Sequence, residues 1–121
     1  MFTVLTVDDN EDLRSLLGIM LEKLGCKPIG ARNGVDGEVM AMRYQPDLVL
    51  LDIMMDEQDG YITCKNLRAK GYTGKIVFIS ALSATTGKLK AKECGADGYV
   101  EKPITLSIVR EQIRLAQLQT A

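Results

Sequence analysis

The 121 residues contain no histidine, which removes catalytic triads, phosphohistidine carriers and zinc sites of the usual kind from this chain. Its chemistry must run on carboxylates, hydroxyls and lysine. Those groups collect at four places: Val7-Asp8-Asp9-Asn10, Leu51-Asp52-Ile53-Met54, Ile79-Ser80-Ala81 and Glu101-Lys102-Pro103. Three carboxylates gathered in a small volume repel one another and need a cation to stay ionised at neutral pH. Mg²⁺ suits such a set, because it is a hard cation that takes carboxylate and carbonyl oxygens, keeps several waters and accepts a phosphate oxygen. Within that set Asp52 is the candidate nucleophile: a carboxylate can attack phosphorus in line and become an aspartyl phosphate, with a metal ion and Lys102 offsetting the charge. The Ser80 hydroxyl can donate to a phosphoryl oxygen. Each motif also has an ordinary reading. Asp8-Asp9-Asn10 can cap a helix, Asp52 can end a strand facing water, Ser80 can be satisfied by backbone, and Lys102-Pro103 can simply begin a loop. Their joint placement at strand ends favours the chemical reading over the ordinary ones.

That placement depends on the elements. Runs dense in aliphatic and β-branched residues predict strands at Phe2–Val7, Lys27–Ala31, Asp47–Leu51, Lys75–Ile79 and Gly98–Val100. Between the first two, Leu13, Leu16, Leu17, Met20, Leu21 and Leu24 recur at the spacing of one helix face. Further helices are predicted at Val35–Tyr44, Gly60–Lys70, Thr85–Cys94 and Thr105–Leu118, with Gly25, Gly71, Gly95 and Pro46 as stop signals. Leu48–Leu51 and Ile76–Ile79 are apolar on both strand faces, as in a parallel sheet covered on each side. Five such βα units imply a doubly wound α/β fold, whose ligands lie beyond the carboxyl ends of the strands.

Composition narrows the class. A charge of −1, from 15 basic and 16 acidic residues, argues against general affinity for polyanions, and so against direct nucleic-acid binding. A hydrophobic fraction of 46% with only 3 prolines suits one compact domain over residues 1–121. Cys26, Cys64 and Cys94 lack CxxC spacing and read as small core residues in a reducing compartment. No signal peptide or membrane span is apparent, so a cytoplasmic location is expected. No output domain is expected after Leu118. Eight of the 16 acidic residues, Asp8, Asp9, Glu11, Asp12, Asp52, Asp56, Glu57 and Asp59, fall after the first and third strands. The helix near 85–94 starts with Thr85-Thr86-Gly87 and carries Lys88, Lys90 and Lys92 with few large apolar anchors. A marginal helix with a solvated basic face follows.

Asp8-Asp9, Leu50-Leu51-Asp52-Ile53-Met54-Met55 with Asp59-Gly60, Ser80-Ala81, Gly95-Ala96-Asp97-Gly98-Tyr99 and Lys102-Pro103 closely resemble the receiver domain of two-component response regulators, across essentially the whole chain. The resemblance implies a flavodoxin-like sheet of order 2-1-3-4-5 and phosphorylation of Asp52 by a sensor histidine kinase or histidine phosphotransferase. It implies Mg²⁺ held by Asp9, Asp52 and the Met54 carbonyl, with Asp8 acting mainly through a metal-bound water. Such a protein is no classical enzyme, but catalyses its own phosphorylation and dephosphorylation. Ser80 and Tyr99 resemble the switch pair, Lys102-Pro103 is expected to be cis, and the face formed by residues 85–94, 98–100 and 105–118 is expected to meet a downstream protein target or a second copy of the chain. Three positions depart from the family pattern: Asp56 stands where proline is common, Ile104 where phenylalanine is common, and Ser80 replaces threonine. A receiver-like module that binds partners without phosphorylation is the alternative reading. A phosphatase of the haloacid dehalogenase type would want an acid where Met54 stands, and a flavin site would want a phosphate loop that the first strand lacks.

Overall fold

The computed structural model describes residues 1–55 and 58–119. Among them strands and helices alternate: β1 Thr3–Val7, α1 Glu11–Lys23, β2 Lys27–Ala31, α2 Gly34–Tyr44, β3 Leu48–Asp52, α3 Gly60–Ala69, β4 Lys75–Ser80, α4 Ala84–Glu93, β5 Gly98–Glu101 and α5 Leu106–Gln119. The strands form one parallel sheet of order β2-β1-β3-β4-β5, the doubly wound flavodoxin-like arrangement expected. Asp56, which raised the question of a missing proline, lies outside the described residues.

Side-chain alternation along the strands divides the core into two layers. Val49, Leu51, Ile76 and Phe78 pack with Ala41, Cys64, Leu67 and Ala91 under α2, α3 and α4. Leu48, Leu50, Val77 and Ile79 pack with Leu17, Leu21, Val109 and Ile113 under α1 and α5. Every residue of β3 is buried, which is why Leu48–Leu51 shows no alternation in sequence. Ile104 is partly buried against the second layer, so the departure from phenylalanine leaves α5 docked. The three cysteines are buried and unpaired, as expected of core residues. No helix among the described residues is long and apolar enough to cross a membrane.

The boundaries show local chemistry. Gly25, Gly71 and Gly95 take positive φ just past α1, α3 and α4, as their stop signals imply. At the end of α2, however, the left-handed residue is Gln45 (φ 45°), ahead of Pro46. Asp47 stands outside β3, where its carboxylate accepts from the Thr3 N–H at 2.8 Å and ties the starts of β1 and β3. Thr105 caps α5 instead of entering it, its hydroxyl accepting from Ile108 N–H. At the amino ends of β4 and β5 Arg68 spreads its guanidinium over the carbonyls of Tyr72, Gly74 and Gly95 and the carboxylate of Asp97, each at 2.8–2.9 Å. That fork holds two αβ connections together.

Candidate functional site

The pairing of β1 with β3 matches Val4 to Leu48 and Val7 to Leu51. One further step sets Asp8 beside Asp52, beyond the hydrogen-bonded ladder at the carboxyl edge. The pairing of β3 with β4 matches Asp52 to Ile79, that of β4 with β5 sets Ser80 against Glu101, and the Lys102 N–H donates to the Ser80 carbonyl at 2.8 Å. Register alone therefore brings four chain-distant groups to one end of the sheet, where open α/β folds bind ligands.

Asp8, Asp9 and Asp52 each present a carboxylate oxygen within 4.8 Å of the others. Asp8 and Asp52 are buried and Asp9 is exposed. Lys102 Nζ lies 3.5 Å from Asp8 Oδ2 and 3.7 Å from Asp52 Oδ1, and the Lys102-Pro103 bond is cis. Burial, reinforced by the charge of Asp8, pushes the Asp52 carboxyl up from 3.8 to about 6, although Lys102 and the backbone of Met54 pull the other way. A hard-oxygen set with an uncompensated buried carboxylate fits a divalent cation of the Mg²⁺ kind.

Several supports hold these groups. Asn10 caps α1 through Leu13 N–H, and its own N–H donates to Asp8 Oδ1 at 2.9 Å. The capping reading of this motif is thus correct for Asn10, while Asp8 and Asp9 remain available to the cluster. Arg14 donates to the Asp8 carbonyl at 2.6 Å. After Asp52, the Gly60 N–H donates to the Ile53 carbonyl at 2.8 Å. A Cβ on Gly60 would lie 2.2 Å from the Asp52 carbonyl oxygen, so only glycine permits this approach.

Ser80 and Tyr99 meet at Leu82. The buried Ser80 Oγ accepts from Leu82 N–H at 3.1 Å, and the Tyr99 hydroxyl donates to the Leu82 carbonyl at 2.9 Å. The Tyr99 ring lies against Gly87 of α4, where a Cβ would stand 2.8 Å from its Cζ. α4 buries only Gly87 and Ala91, in keeping with the marginal helix expected. Lys88, Lys90 and Lys92 are all exposed, as the solvated face expected, and Lys90 Nζ also lies 4.5 Å from the centroid of the Tyr61 ring. Met54 is 63% exposed, so its side chain is not packed in the core. The roles of Arg14, Leu82 and Gly87 had no sequence signal; each arises from a contact across the fold.

A family model for the response regulator receiver domain matches residues 4–114. The chain is 39% identical over 111 residues to the transcriptional regulatory protein YxdJ of Bacillus subtilis, covering 92% of this chain and 48% of that protein. It spans about half the length of the curated relatives it matches. Among solved structures, the BeF3-activated N-terminal receiver domain of Klebsiella pneumoniae RstA aligns with a TM-score of 0.87 at 29% identity, over 94% of this chain and 97% of that one. The response regulator TrrA of Thermotoga maritima, solved in complex with Mg(2+)-BeF, aligns with a TM-score of 0.86 at 29% identity, over 96% and 99%. With the fold and the acidic edge in agreement, the chain belongs to the response regulator receiver family of two-component systems.

Proposed function

We propose that residues 1–121 act as one phosphorylatable switch. The Asp52 carboxylate attacks phosphorus in line, the bond from phosphorus to a partner's phosphohistidine nitrogen breaks, and its electron pair stays on that nitrogen. The partner is a sensor histidine kinase or a histidine phosphotransferase. Asp9, Asp52 and the Met54 carbonyl would hold Mg²⁺, with Asp8 reaching it through water; the ion supplies charge neutralisation for the phosphoryl oxygens. Lys102 adds a fixed positive charge, and the Ser80 hydroxyl donates to a phosphoryl oxygen. The observation that carries this reading is the buried Asp52, within 4.8 Å of two other carboxylates and 3.7 Å from Lys102.

Output follows from the shared attachment at Leu82. A Ser80 hydroxyl turned toward a phosphoryl group gives up its bond from Leu82 N–H, and Leu82 also holds the Tyr99 hydroxyl. Loss of the first bond loosens the second, and Tyr99 lines a groove of about 400 Å³ with Lys88, Lys92 and Asp97 between α4 and β5. The α4, β5 and α5 surface then controls a protein target, and a second copy of the chain would use the same face. One relative is named as a DNA-binding regulator, but it is a protein about twice as long; we assign protein partners, not nucleic acid, to these 121 residues. The domain works in the cytoplasm in this reading.

Incubation with acetyl phosphate and Mg²⁺, read by intact mass, tests the proposal. A single hydroxylamine-labile phosphoryl adduct, abolished by EDTA and by Asp52→Ala, is expected. No adduct at all would leave the phosphorylation-independent interaction module as the better reading, and an adduct that survives Asp52→Ala would remove Asp52 as the acceptor.

A further inference from the structure

Away from the acidic edge, one carboxylate is buried between two helices. Glu38 of α2 is 6% exposed. Its Oε2 accepts from Gln58 Nε2 at 2.6 Å and from Asn66 Nδ2 at 3.0 Å, and its Oε1 from Lys70 Nζ at 2.7 Å. Gln58 Nε2 also donates to Thr63 Oγ1 at 2.8 Å. Gly34, one helical turn before Glu38, leaves the room: a Cβ there would stand 2.2 Å from Thr63 Oγ1 and 3.0 Å from Gln58 Nε2. Burial acts to raise the Glu38 carboxyl, but the hydrogen bonds from Lys70, Asn66 and Gln58 bring it below its ordinary value. It is therefore an ionised group at neutral pH.

An apolar pair would join α2 to α3 at least as well as a buried ion with its desolvation cost. What the carboxylate adds is a directed hold on Gln58. Two residues further on, Gly60 donates to the Ile53 carbonyl at 2.8 Å and packs onto the Asp52 carbonyl. Between them Asp59 caps α3 by accepting from Ile62 N–H at 2.9 Å. The segment from Gln58 to Gly60 is thus fixed at one end by α2 and at the other by the backbone that carries Asp52.

We propose that Glu38 is a positioning residue for the Asp52 site: with Gln58 and Thr63 it pins the Gln58–Gly60 segment, and that segment holds the Asp52-Ile53 backbone in the orientation a divalent cation requires. This inference rests on the Mg²⁺ reading of the site given above.

The test is Mg²⁺ titration of the full chain followed by the backbone amides of Asp8 and Asp52, with amide hydrogen exchange at Gly60 as a metal-independent readout. Glu38→Ala and Gln58→Ala should each weaken Mg²⁺ affinity about tenfold, the lower end of the cost of removing an outer-shell support, and speed exchange at Gly60. The double variant should be no weaker than either single one, because both remove the same hold. Glu38→Gln still accepts from Gln58, and Lys70→Ala leaves that bond in place; both should stay within about twofold of wild type. If Glu38→Ala fails to fold, Gln58→Ala, which replaces a half-buried side chain, carries the test. Wild-type affinity and Gly60 exchange in Gln58→Ala, or additive losses in the double variant, would overturn the inference. A wild-type chain that binds no Mg²⁺ would instead overturn the reading of the site beneath it.

Discussion

Replacing Asp52 by Asn should stabilise the metal-free protein at neutral pH. The Asp52 carboxyl is raised from 3.8 to about 6 by burial and by Asp8. Between those two values the folded state binds more protons than the unfolded one, so stability falls as pH rises from about 4 to 6 and stays lowered above. At about 1.4 kcal/mol for each tenfold change in proton affinity, the loss amounts to about 3 kcal/mol at pH 7. Asn keeps the shape of the side chain and carries no charge, so it removes this loss. In urea unfolding with EDTA, a slope of about 1.5 kcal/mol per molar converts the gain to about 2 M in the midpoint at pH 7.5. The gap should close as pH falls below about 4, where wild-type Asp52 is neutral as well. Mg²⁺ should raise the wild-type midpoint and leave Asp52→Asn less affected. An Asn variant no more stable than wild type at pH 7.5, or a gap that does not change with pH, would refute the reasoning.

Removing the cation beside Asp52 should act in the opposite sense. Lys102→Met is expected to move the Asp52 titration midpoint, read by carboxyl carbon shifts, above its wild-type position, since Lys102 lowers it; an unchanged midpoint would contradict the pairing. Gly60→Ala should weaken Mg²⁺ binding and destabilise the fold by about 2 kcal/mol or more, because backbone must move to admit the methyl group; urea unfolding and metal titration report both. Tyr99→Phe deletes the bond to the Leu82 carbonyl and should cost about 1 kcal/mol, with amide shift changes concentrated at Leu82 and at the start of α4. Arg68→Lys cannot reproduce the fork to three carbonyls and Asp97, and thermal or urea unfolding should show a loss of about 2 kcal/mol.

Much of this molecule is readable along the chain because short-range rules set it. Leu48–Leu51 and Ile76–Ile79 announce strands buried on both faces, and Gly25, Gly71 and Gly95 stop helices where positive φ is needed. Asp8, Asp52, Ser80 and Lys102 were recognisable because strand ends in a parallel sheet converge at one edge. The Glu38 network was not recognisable. Glu38, Asn66 and Lys70 look like ordinary polar positions on exposed helix faces, and only the packing of α2 on α3 buries Glu38 and brings Gln58, Asn66 and the exposed Lys70 to its carboxylate. Leu82 and Gly87 escaped for a similar reason, since their importance comes from Tyr99, 17 residues beyond Leu82 in the hydrogen bond they share. The contact of the exposed Lys90 with the Tyr61 ring was equally hidden, because that ring belongs to another helix. Helix boundaries moved by a residue where caps decided them, as at Thr105 and Lys70.

The central claim is that Asp8, Asp9, Asp52 and Lys102 serve one divalent ion and one phosphoryl group. A crystal structure with Mg²⁺ and beryllofluoride addresses it most directly. Mg²⁺ should lie about 2.1 Å from oxygens of Asp9, Asp52 and the Met54 carbonyl, with the beryllofluoride group on Asp52 and within hydrogen-bond reach of Lys102 Nζ and Ser80 Oγ. A metal ion bound elsewhere, or beryllofluoride absent from Asp52 under saturating conditions, would contradict it.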